Sequence, residues 1–247
     1  MEPVAHDLRD TFRVATYQQR GLEPSTLEGP YDVAVHVADV LAVLDHLGWE
    51  RPVMGGHSWG GHLLLHLVAG YPERVAAALV VDPLGGVGDG GFPAFDAEMS
   101  RRTPPEEAER AVDLDQRVMA GTATEEDAVE MLRISWPAYF PSRERAPEFP
   151  GLRVNAASAG PTLSSAVAEL PGLADRLSAS PVSTVFVHGG ASPMPLTAST
   201  ETAEVMGPSA SVVVVPDAGH FVWLDAPGCL HEPLDALTRR AAGSAAT

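Results

Sequence analysis

The sequence of 247 residues has one cysteine, no long apolar run and no apolar leader, and each absence excludes a class of protein. A single cysteine, Cys229, cannot form an internal disulfide, which is typical of proteins in a reducing cytoplasm. No segment approaches the ~18 uninterrupted apolar residues of a membrane span. The opening residues, MEPVAHDLRD, contain no basic region followed by an apolar one, so we expect no secretory signal. These absences predict a cytoplasmic protein that does not bind a membrane.

Basic residues are also scarce, and this excludes further partners. Lys and Arg number 16 against 33 Asp and Glu, which gives a formal net charge of −17. Such a surface repels phosphate backbones and anionic lipids, so no nucleic-acid partner is expected. The rest of the composition is ordinary, because 45% of the residues are hydrophobic. That fraction is enough for a sizeable core in one domain.

Predicted strands and helices alternate at both ends of the chain. Apolar residues at helical spacing predict a helix that stops at Gly48. The continuously apolar run AAALVVDP is typical of a strand buried on both faces of a parallel sheet. Strands are predicted at residues 11–21, 51–57, 76–83, 183–190 and 209–220. The alternation predicts a doubly wound α/β domain, with helices on both faces of a mainly parallel sheet.

The pattern changes in residues 85–180, where Gly/Pro-rich loops separate short predicted helices and no strand is evident. One of these helices is expected to begin at Thr124, because Asp127 follows three residues later as in a capping box. We interpret residues 85–180 as a helical lid insert, and residues 1–84 with 181–247 as the core. Such a lid covers the carboxyl edge of the sheet, where ligands bind in open α/β folds.

A serine motif lies between a predicted strand and a predicted helix. Gly56-His57-Ser58-Trp59-Gly60 matches G-x-S-x-G in the setting of a nucleophile elbow. In such an elbow the serine occupies a strained turn, and side chains at the flanking glycine positions would clash. The alternative is a structural turn in a glycine-rich chain. The strand-turn-helix setting favours Ser58 as a nucleophile.

A serine hydroxyl is a weak nucleophile without a base, and nine histidines are available. His220 comes just after the final predicted strand, which agrees with the chain order serine, acid, histidine. It is the predicted general base, and His188, after the strand TVFV, is a weaker candidate. Structural roles are expected for four histidines in predicted helices: His36, His46, His62 and His66.

Several segments together resemble the α/β-hydrolase superfamily, and most closely its proline iminopeptidase-like branch. These segments are FRVATYQQRG, GGHSWGGHLLLHLVAGYPERVAAALVVDP, ISWPAYF and VPDAGHFVWLDAP. The resemblance covers nearly the whole chain and implies hydrolysis of acyl bonds through an acyl-enzyme, with no cofactor and no metal. It also implies that the backbone amide of Trp59 donates a hydrogen bond to the oxyanion.

The acid of the triad departs from the family pattern. The family resemblance implies an aspartate in a segment that here reads HGGASPMP, where Ser192 takes its place. The predicted substitute is Asp82, after the strand ALVV, although a capping or turn role before Pro83 is the alternative. Asp217 is too close to His220 in the chain to reach its imidazole, and Asp225 is expected to start a helix.

The N-terminal strands implied by the resemblance are also missing. The strand FRVATY resembles the family's fourth strand but begins at residue 12, and nothing before it matches the His-Gly strand that completes the oxyanion hole. Without the intervening strand, FRVATY is expected to pair directly with RPVMGG, since both would otherwise expose open edges. Truncation of a longer product, cover by a neighbouring subunit and a trimmed relative with changed chemistry all remain open.

The function predicted from these residues is a serine hydrolase for a small apolar ester, lactone or amide. The expected contacts of the acyl group beneath the lid are Trp136, Tyr139, Phe140 and Met194. Peptide substrates are less favoured, because the lid carboxylates that could hold an ammonium group lie on polar helix faces: Glu98, Glu106, Glu107 and Glu130. Non-hydrolytic cyclase or lyase chemistry and a degenerate, ligand-binding hydrolase fold are the alternatives. Formation of a homo-oligomer stays open.

Overall fold

The computed structural model describes residues 2–244, and its centre is a sheet of four parallel strands in the order β1-β2-β3-β4. The strands are β1 Val53–His57, β2 Ala77–Val81, β3 Ser183–Gly189 and β4 Ala210–Val215. All five side chains of β2 are buried, as expected for a central strand covered on both faces. The predicted α/β architecture with a parallel sheet flanked by helices is confirmed.

Ten α-helices surround or extend this sheet within the described residues. They are α1 Glu2–Leu8, α2 Val33–Leu47, α3 Trp59–Gly70, α4 Phe92–Arg102, α5 Pro105–Met119, α6 Glu125–Ser135, α7 Ala156–Ser178, α8 Leu196–Met206, α9 Val222–Asp225 and α10 His231–Ser244. Local chemistry sets several of the ends. Gly48 ends α2 in the left-handed conformation, and Thr124 and Asp127 form the predicted capping box of α6.

Two apolar layers hold the helices against the sheet. One layer joins α2, α3 and α7 to residues of β2 and β3, with Leu65, Val80 and Phe186 at its centre. The other joins α1 and α10 to the opposite face through Val81 and Leu237. Each strand therefore contributes side chains alternately to two cores, as the two-residue period of a strand requires.

The predicted strand at residues 11–21 is not formed. Residues 13–19 have no regular structure, and β1 pairs only with β2 among the described residues. The segment is fixed instead by side chains, since Arg20 donates two hydrogen bonds to Asp39 of α2 and the Arg13 guanidinium lies over the Trp49 ring. The predicted pairing with β1 was therefore wrong, because these contacts hold the segment to α2 and to the loop after it.

Helices α4 to α7 lie between β2 and β3 in the chain and fall within residues 85–180, the stretch predicted to form a lid. Helix α7 reaches from α5 and α6 to the core helices α3 and α8. No helix between residues 2 and 244 combines the length and apolar character needed to cross a bilayer.

Candidate active site

Ser58 occupies a strained turn between β1 and α3. Its φ of 54° and ψ of −122° lie in a region that L-residues rarely adopt. A Cβ on Gly56 would lie 2.2 Å from the carbonyl oxygen of Gly60, whereas a Cβ on Gly60 would meet open space. Of the two flanking glycines, only Gly56 is required by sterics. The Ser58 hydroxyl does not cap α3, and Trp59 opens the helix with a backbone N–H that has no partner within it.

Asp82 comes directly after the end of β2, just as Ser58 comes directly after the end of β1. His57 and Val81 are register partners in the parallel pair, so the next residue of each strand projects from the same carboxyl edge. Asp82 also has a positive φ, 43°, which Asp tolerates better than most residues. The sheet register therefore brings the nucleophile candidate and the acid candidate to neighbouring positions.

The Asp82 carboxylate accepts hydrogen bonds from three directions. The Nδ1–H of His220 donates to Oδ2 at 2.5 Å. The Ser192 hydroxyl donates to the same oxygen at 2.5 Å, and the Gly189 N–H donates to Oδ1 at 3.0 Å. Ser192 in turn accepts from the Met194 N–H at 3.1 Å. The serine that stands where the family acid is expected thus supports the carboxylate that faces the histidine.

The charge of Asp82 depends on these partners because the side chain is fully buried. Burial alone would raise the pKa of Asp82. The hydrogen bond from His220, the attraction of His220 and His188, and the bond from Ser192 outweigh burial and lower it. Asp82 is therefore ionised where it faces His220.

His220 is held by backbone contacts on both sides. Its N–H donates to the Tyr139 carbonyl in the lid at 2.8 Å, and its carbonyl accepts from His57 Nε2 at 2.9 Å. The Tyr139 ring stacks on the imidazole, with centroids 5.1 Å apart. A Cβ on Gly219 would lie 2.4 Å from the Tyr139 carbonyl oxygen. Glycine at position 219 is therefore required for the lid to approach the histidine.

His57 connects the elbow to the predicted base. Its ring centroid lies 4.5 Å from that of His220, which places the imidazole beside the residue that precedes Ser58. Burial, and then the neighbouring His220, lower the pKa of His57 to about 3. The ring is neutral, and Nε2 carries its hydrogen because its partner is a carbonyl oxygen that can only accept.

His188 lies on the other side of Asp82. Its Nε2 is 3.1 Å from the Met194 carbonyl and its Nδ1 is 3.0 Å from the Ser199 hydroxyl, while Nδ1 and Asp82 Oδ1 are 3.2 Å apart. Burial lowers the pKa of His188. Both ring nitrogens of His188 are thus engaged within the wall that encloses the carboxylate.

The four predicted substrate contacts lie in three different places. Tyr139 touches His220, whereas Trp136 and Phe140 are buried against Phe221, with centroids 4.9 and 5.8 Å from its ring. Met194 is buried beyond Asp82, beside Leu84 and Ala198. As contacts of a substrate, all four stay predictions.

The two other aspartates near His220 in the chain do not face its imidazole. Asp217 is in the left-handed conformation, in the turn after β4. Asp225 ends α9 rather than starting a helix, which corrects the prediction. Its carboxylate accepts from the Gly219 N–H at 2.9 Å and from Arg145 at 2.8 Å, so it stabilises the loop that carries the histidine.

Sequence reasoning missed the supporting residues of this site. Nothing in the pattern distinguishes His57 or Arg102 as a hydrogen-bond donor to a distant carbonyl. Ser192 carried a signal, since it stands at the position where the family acid is expected. Among residues 2–244, no group of three or more His, Cys, Asp and Glu side chains is arranged to hold a metal ion.

Comparison with known proteins agrees with the fold. The model of the Alpha/beta hydrolase family matches residues 1–229. A solved structure of 2-hydroxy-6-oxo-6-phenylhexa-2,4-dienoate hydrolase from Rhodococcus sp. strain RHA1 superimposes with a TM-score of 0.67 at 20% identity, covering 97% of this chain and 84% of that one. At this identity the superposition supports the fold alone.

Curated relatives match over a shorter stretch. A RutD protein of Caulobacter sp. (strain K31), named for carbamate hydrolysis, is 37% identical over 82 residues, 32% of this chain. Lipase LipV of Mycobacterium tuberculosis is 34% identical over 80 residues, also 32% of this chain. The matches span 31% and 30% of these relatives' own lengths. Since the family model extends over nearly the whole sequence, the chain belongs to the Alpha/beta hydrolase family.

Proposed function

We propose that this hydrolase is a serine hydrolase that cleaves a small apolar ester, lactone or amide through an acyl-enzyme at Ser58. The observation that carries the proposal is the buried Asp82–His220 pair, 2.5 Å between Oδ2 and Nδ1, at the same sheet edge as the strained Ser58 turn. A hydroxyl, an imidazole and an ionised carboxylate in this order form a catalytic triad, in which the imidazole activates the hydroxyl and the carboxylate stabilises the imidazolium.

In the proposed mechanism His220 acts as base and then as acid. Because Nδ1 donates to Asp82, Nε2 is the nitrogen that takes the Ser58 proton as Oγ attacks the acyl carbon. The Trp59 N–H donates to the oxyanion, and Asp82 stabilises the imidazolium. His220 then gives the proton to the leaving group, and a water activated by the same imidazole releases the acid.

The surroundings of His220 support an uncharged substrate. Burial raises the pKa of Tyr139 to about 12, so the ring that stacks on His220 stays neutral, and Phe95 stacks on it in turn with centroids 6.3 Å apart. An aromatic wall of this kind favours an apolar acyl or alcohol group.

The lid carboxylates support esters over peptides with a free ammonium group. Glu98 is paired with Arg101 and Arg102, Glu107 with Arg143 and Glu130 with Arg110. These contacts already occupy three of the four lid carboxylates that could hold a substrate cation, all except Glu106. Within the family we place the chain near the proline iminopeptidase-like branch by its elbow and GHF segments, but with ester- or lactone-type substrates.

A fluorophosphonate probe tests the proposal directly. We expect stoichiometric labelling at Ser58, located by mass spectrometry, together with turnover of p-nitrophenyl butyrate. Ser58→Ala should lose both. Ser209→Ala is the matched control, because that hydroxyl bonds only the Met206 carbonyl. A folded protein that neither labels nor turns over the ester contradicts the proposal, and turnover that survives Ser58→Ala but not His220→Ala indicates chemistry without an acyl-enzyme.

A further inference from the structure

Arg102 makes an unusual set of contacts at the end of lid helix α4. Its Nη1 donates to the Ala138 and Phe140 carbonyls at 3.0 and 3.2 Å. The same nitrogen donates to the Ala191 carbonyl at 3.0 Å, and Nη2 donates to that of Ser192 at 3.3 Å. One guanidinium therefore joins residues 138–140, which we call the lid turn, to residues 191–192 in the loop after β3, which we call the core loop.

Both segments that Arg102 joins hold the Asp82–His220 pair. The lid turn carries the Tyr139 carbonyl that accepts from the His220 N–H. The core loop carries the Ser192 hydroxyl that donates to Asp82 Oδ2. Arg102 touches neither the acid nor the base. It bonds Ser192, the residue that fixes the acid. It also bonds Ala138 and Phe140, which flank the residue that fixes the base.

The side chain is itself fixed. Only 17% of it is exposed, and its Nε donates to Glu98 at 2.7 Å. Hydrogen bonds from Arg101 lower the pKa of Glu98 to about 2. Partial burial opposes this shift, and the hydrogen bond from Arg102 adds to it. The carboxylate that orients the guanidinium is thus ionised throughout the neutral range. A planar, five-donor group held in this way suits several carbonyls at once, which an ammonium does not.

We propose that Arg102 is a positioning residue that sets the distance between the Asp82 carboxylate and the His220 imidazole by fixing the lid turn and the Ser192 loop relative to each other. This role rests on the proposed function for its effect on rate, but not for its geometry. Loss of the guanidinium frees the two segments to separate, and a displacement of about 1 Å at a reacting group can cost on the order of a hundredfold in rate.

Arg101 provides a matched control. It donates to the same Glu98 carboxylate at 2.6 and 2.7 Å, yet 70% of its side chain is exposed and it bonds none of the four carbonyls. Arg101→Gln and Arg102→Gln each remove one ion pair with Glu98. The difference between them isolates the bonds to the lid turn and the core loop.

Two measurements test the role. With p-nitrophenyl butyrate, Arg102→Gln should lower kcat roughly tenfold to a hundredfold with little change in KM, and Arg101→Gln should leave kcat within about twofold, as for an exposed pair. Arg102→Lys should recover part of the loss. Independently of turnover, the downfield proton resonance of the His220–Asp82 hydrogen bond should weaken in Arg102→Gln and persist in Arg101→Gln.

The outcomes separate this inference from the proposed function. If kcat and the resonance of Arg102→Gln equal those of Arg101→Gln, the positioning role is wrong although the hydrolase stands. If the wild-type protein does not hydrolyse the ester, the proposed function fails, and the resonance alone decides whether Arg102 positions the pair. If Arg102→Gln does not fold, Arg102→Lys takes its place in both measurements. A resonance and a kcat of Arg102→Lys equal to those of the wild-type protein would then contradict the role.

Discussion

Two sets of histidines differ in the groups that they face. The edge histidines, His57, His188 and His220, lie at the carboxyl edge of the sheet, where two of them contact the Asp82 carboxylate and His57 packs against His220. The helix histidines, His36, His62 and His66, lie in α2 and α3, where His62 and His66 face each other with Nε2 atoms 3.2 Å apart. Only the first set contains rings that contact a buried acid, namely His188 and His220. The comparison teaches that burial without such a partner lowers the pKa of a histidine, whereas the proposed general base has a buried carboxylate at its Nδ1.

The electrostatics of the helix histidines fit this difference. Burial lowers the pKa of His62 to about 4, and burial followed by the repulsion of His62 lowers the pKa of His66 to about 3. The carboxylate nearest to them, Glu169, is partly exposed and lies 3.5 Å from His66. These rings serve packing, and the His36 Nε2 atom has no hydrogen-bond partner in the part of the chain that the structure describes.

Replacement of the base is the sharpest way to break the comparison. His220→Gln should lower kcat/KM for p-nitrophenyl butyrate by at least about 10⁴-fold, because the serine loses its proton acceptor. His66→Gln, the matched change among the helix histidines, should leave kcat within about threefold, since it is distant from the reacting groups. Steady-state kinetics check both variants, and comparable losses would remove the distinction between the two sets.

Removal of the acid should have the next largest effect. Asp82→Asn leaves His220 without a charged partner and should cost on the order of 10³- to 10⁴-fold in kcat. Asp225→Asn is the control, because Asp225 holds the same loop through the Gly219 N–H without facing the imidazole. A rate for Asp82→Asn close to that of Asp225→Asn would show that the site works as a dyad. If Asp82→Asn instead costs the expected factor, adding Ser192→Asp should restore part of the loss, since the side chain at position 192 already reaches the Asp82 oxygen that faces His220.

A smaller effect is expected from the hydroxyl that supports the acid. Ser192→Ala removes a hydrogen bond to the Asp82 carboxylate and leaves the Met194 N–H without its acceptor. A bond to a charged group contributes about 1.5–3 kcal/mol, so kcat should fall at least about tenfold. Ser192→Thr keeps the hydroxyl and should retain most of the activity. Equal rates for Ala and Thr would exclude the hydroxyl from a supporting role.

The helix histidines should show their effect in stability rather than rate. Between pH 6.5 and about 4 the unfolded chain binds a proton at His66, whereas the folded protein does not, since burial lowers the pKa of His66 to about 3. Stability is therefore present above pH 6.5 and is lost as the pH falls through this window. His66→Gln should reduce the slope of unfolding free energy by about 1.4 kcal/mol per pH unit. Urea unfolding at several pH values measures this, with the exposed His46→Gln as control.

Strong local patterns predicted most of the fold. The apolar run of β2, the helical spacing of α2 and the capping box of α6 are each determined by neighbours in the chain, so one sequence sufficed. The strand at residues 11–21 was wrong because a strand requires a pairing partner, which no local pattern reports. Instead, Arg20 donates hydrogen bonds to Asp39 of α2, and the Arg13 guanidinium lies over the Trp49 ring in the loop after it.

The candidate site was predictable only where a motif or strand end marked it. Ser58 is marked by its glycines, and Asp82 and His220 by the ends of strands that the parallel register brings to one edge. The roles of His57, Ser192 and Arg102 depend on contacts between segments far apart in the chain. For Arg102 those contacts are 36 to 90 residues away, which a motif cannot encode.

The lid holds His220 through the carbonyl of Tyr139, which is a main-chain atom. Every amino acid supplies that acceptor, so the identity of the side chain at position 139 is not constrained by this bond. Side chains at this position can consequently vary while His220 keeps its orientation. The glycine opposite that carbonyl has no such freedom. Substitutions that probe the proposed substrate contact are therefore best made at position 139, with residue 219 left unchanged.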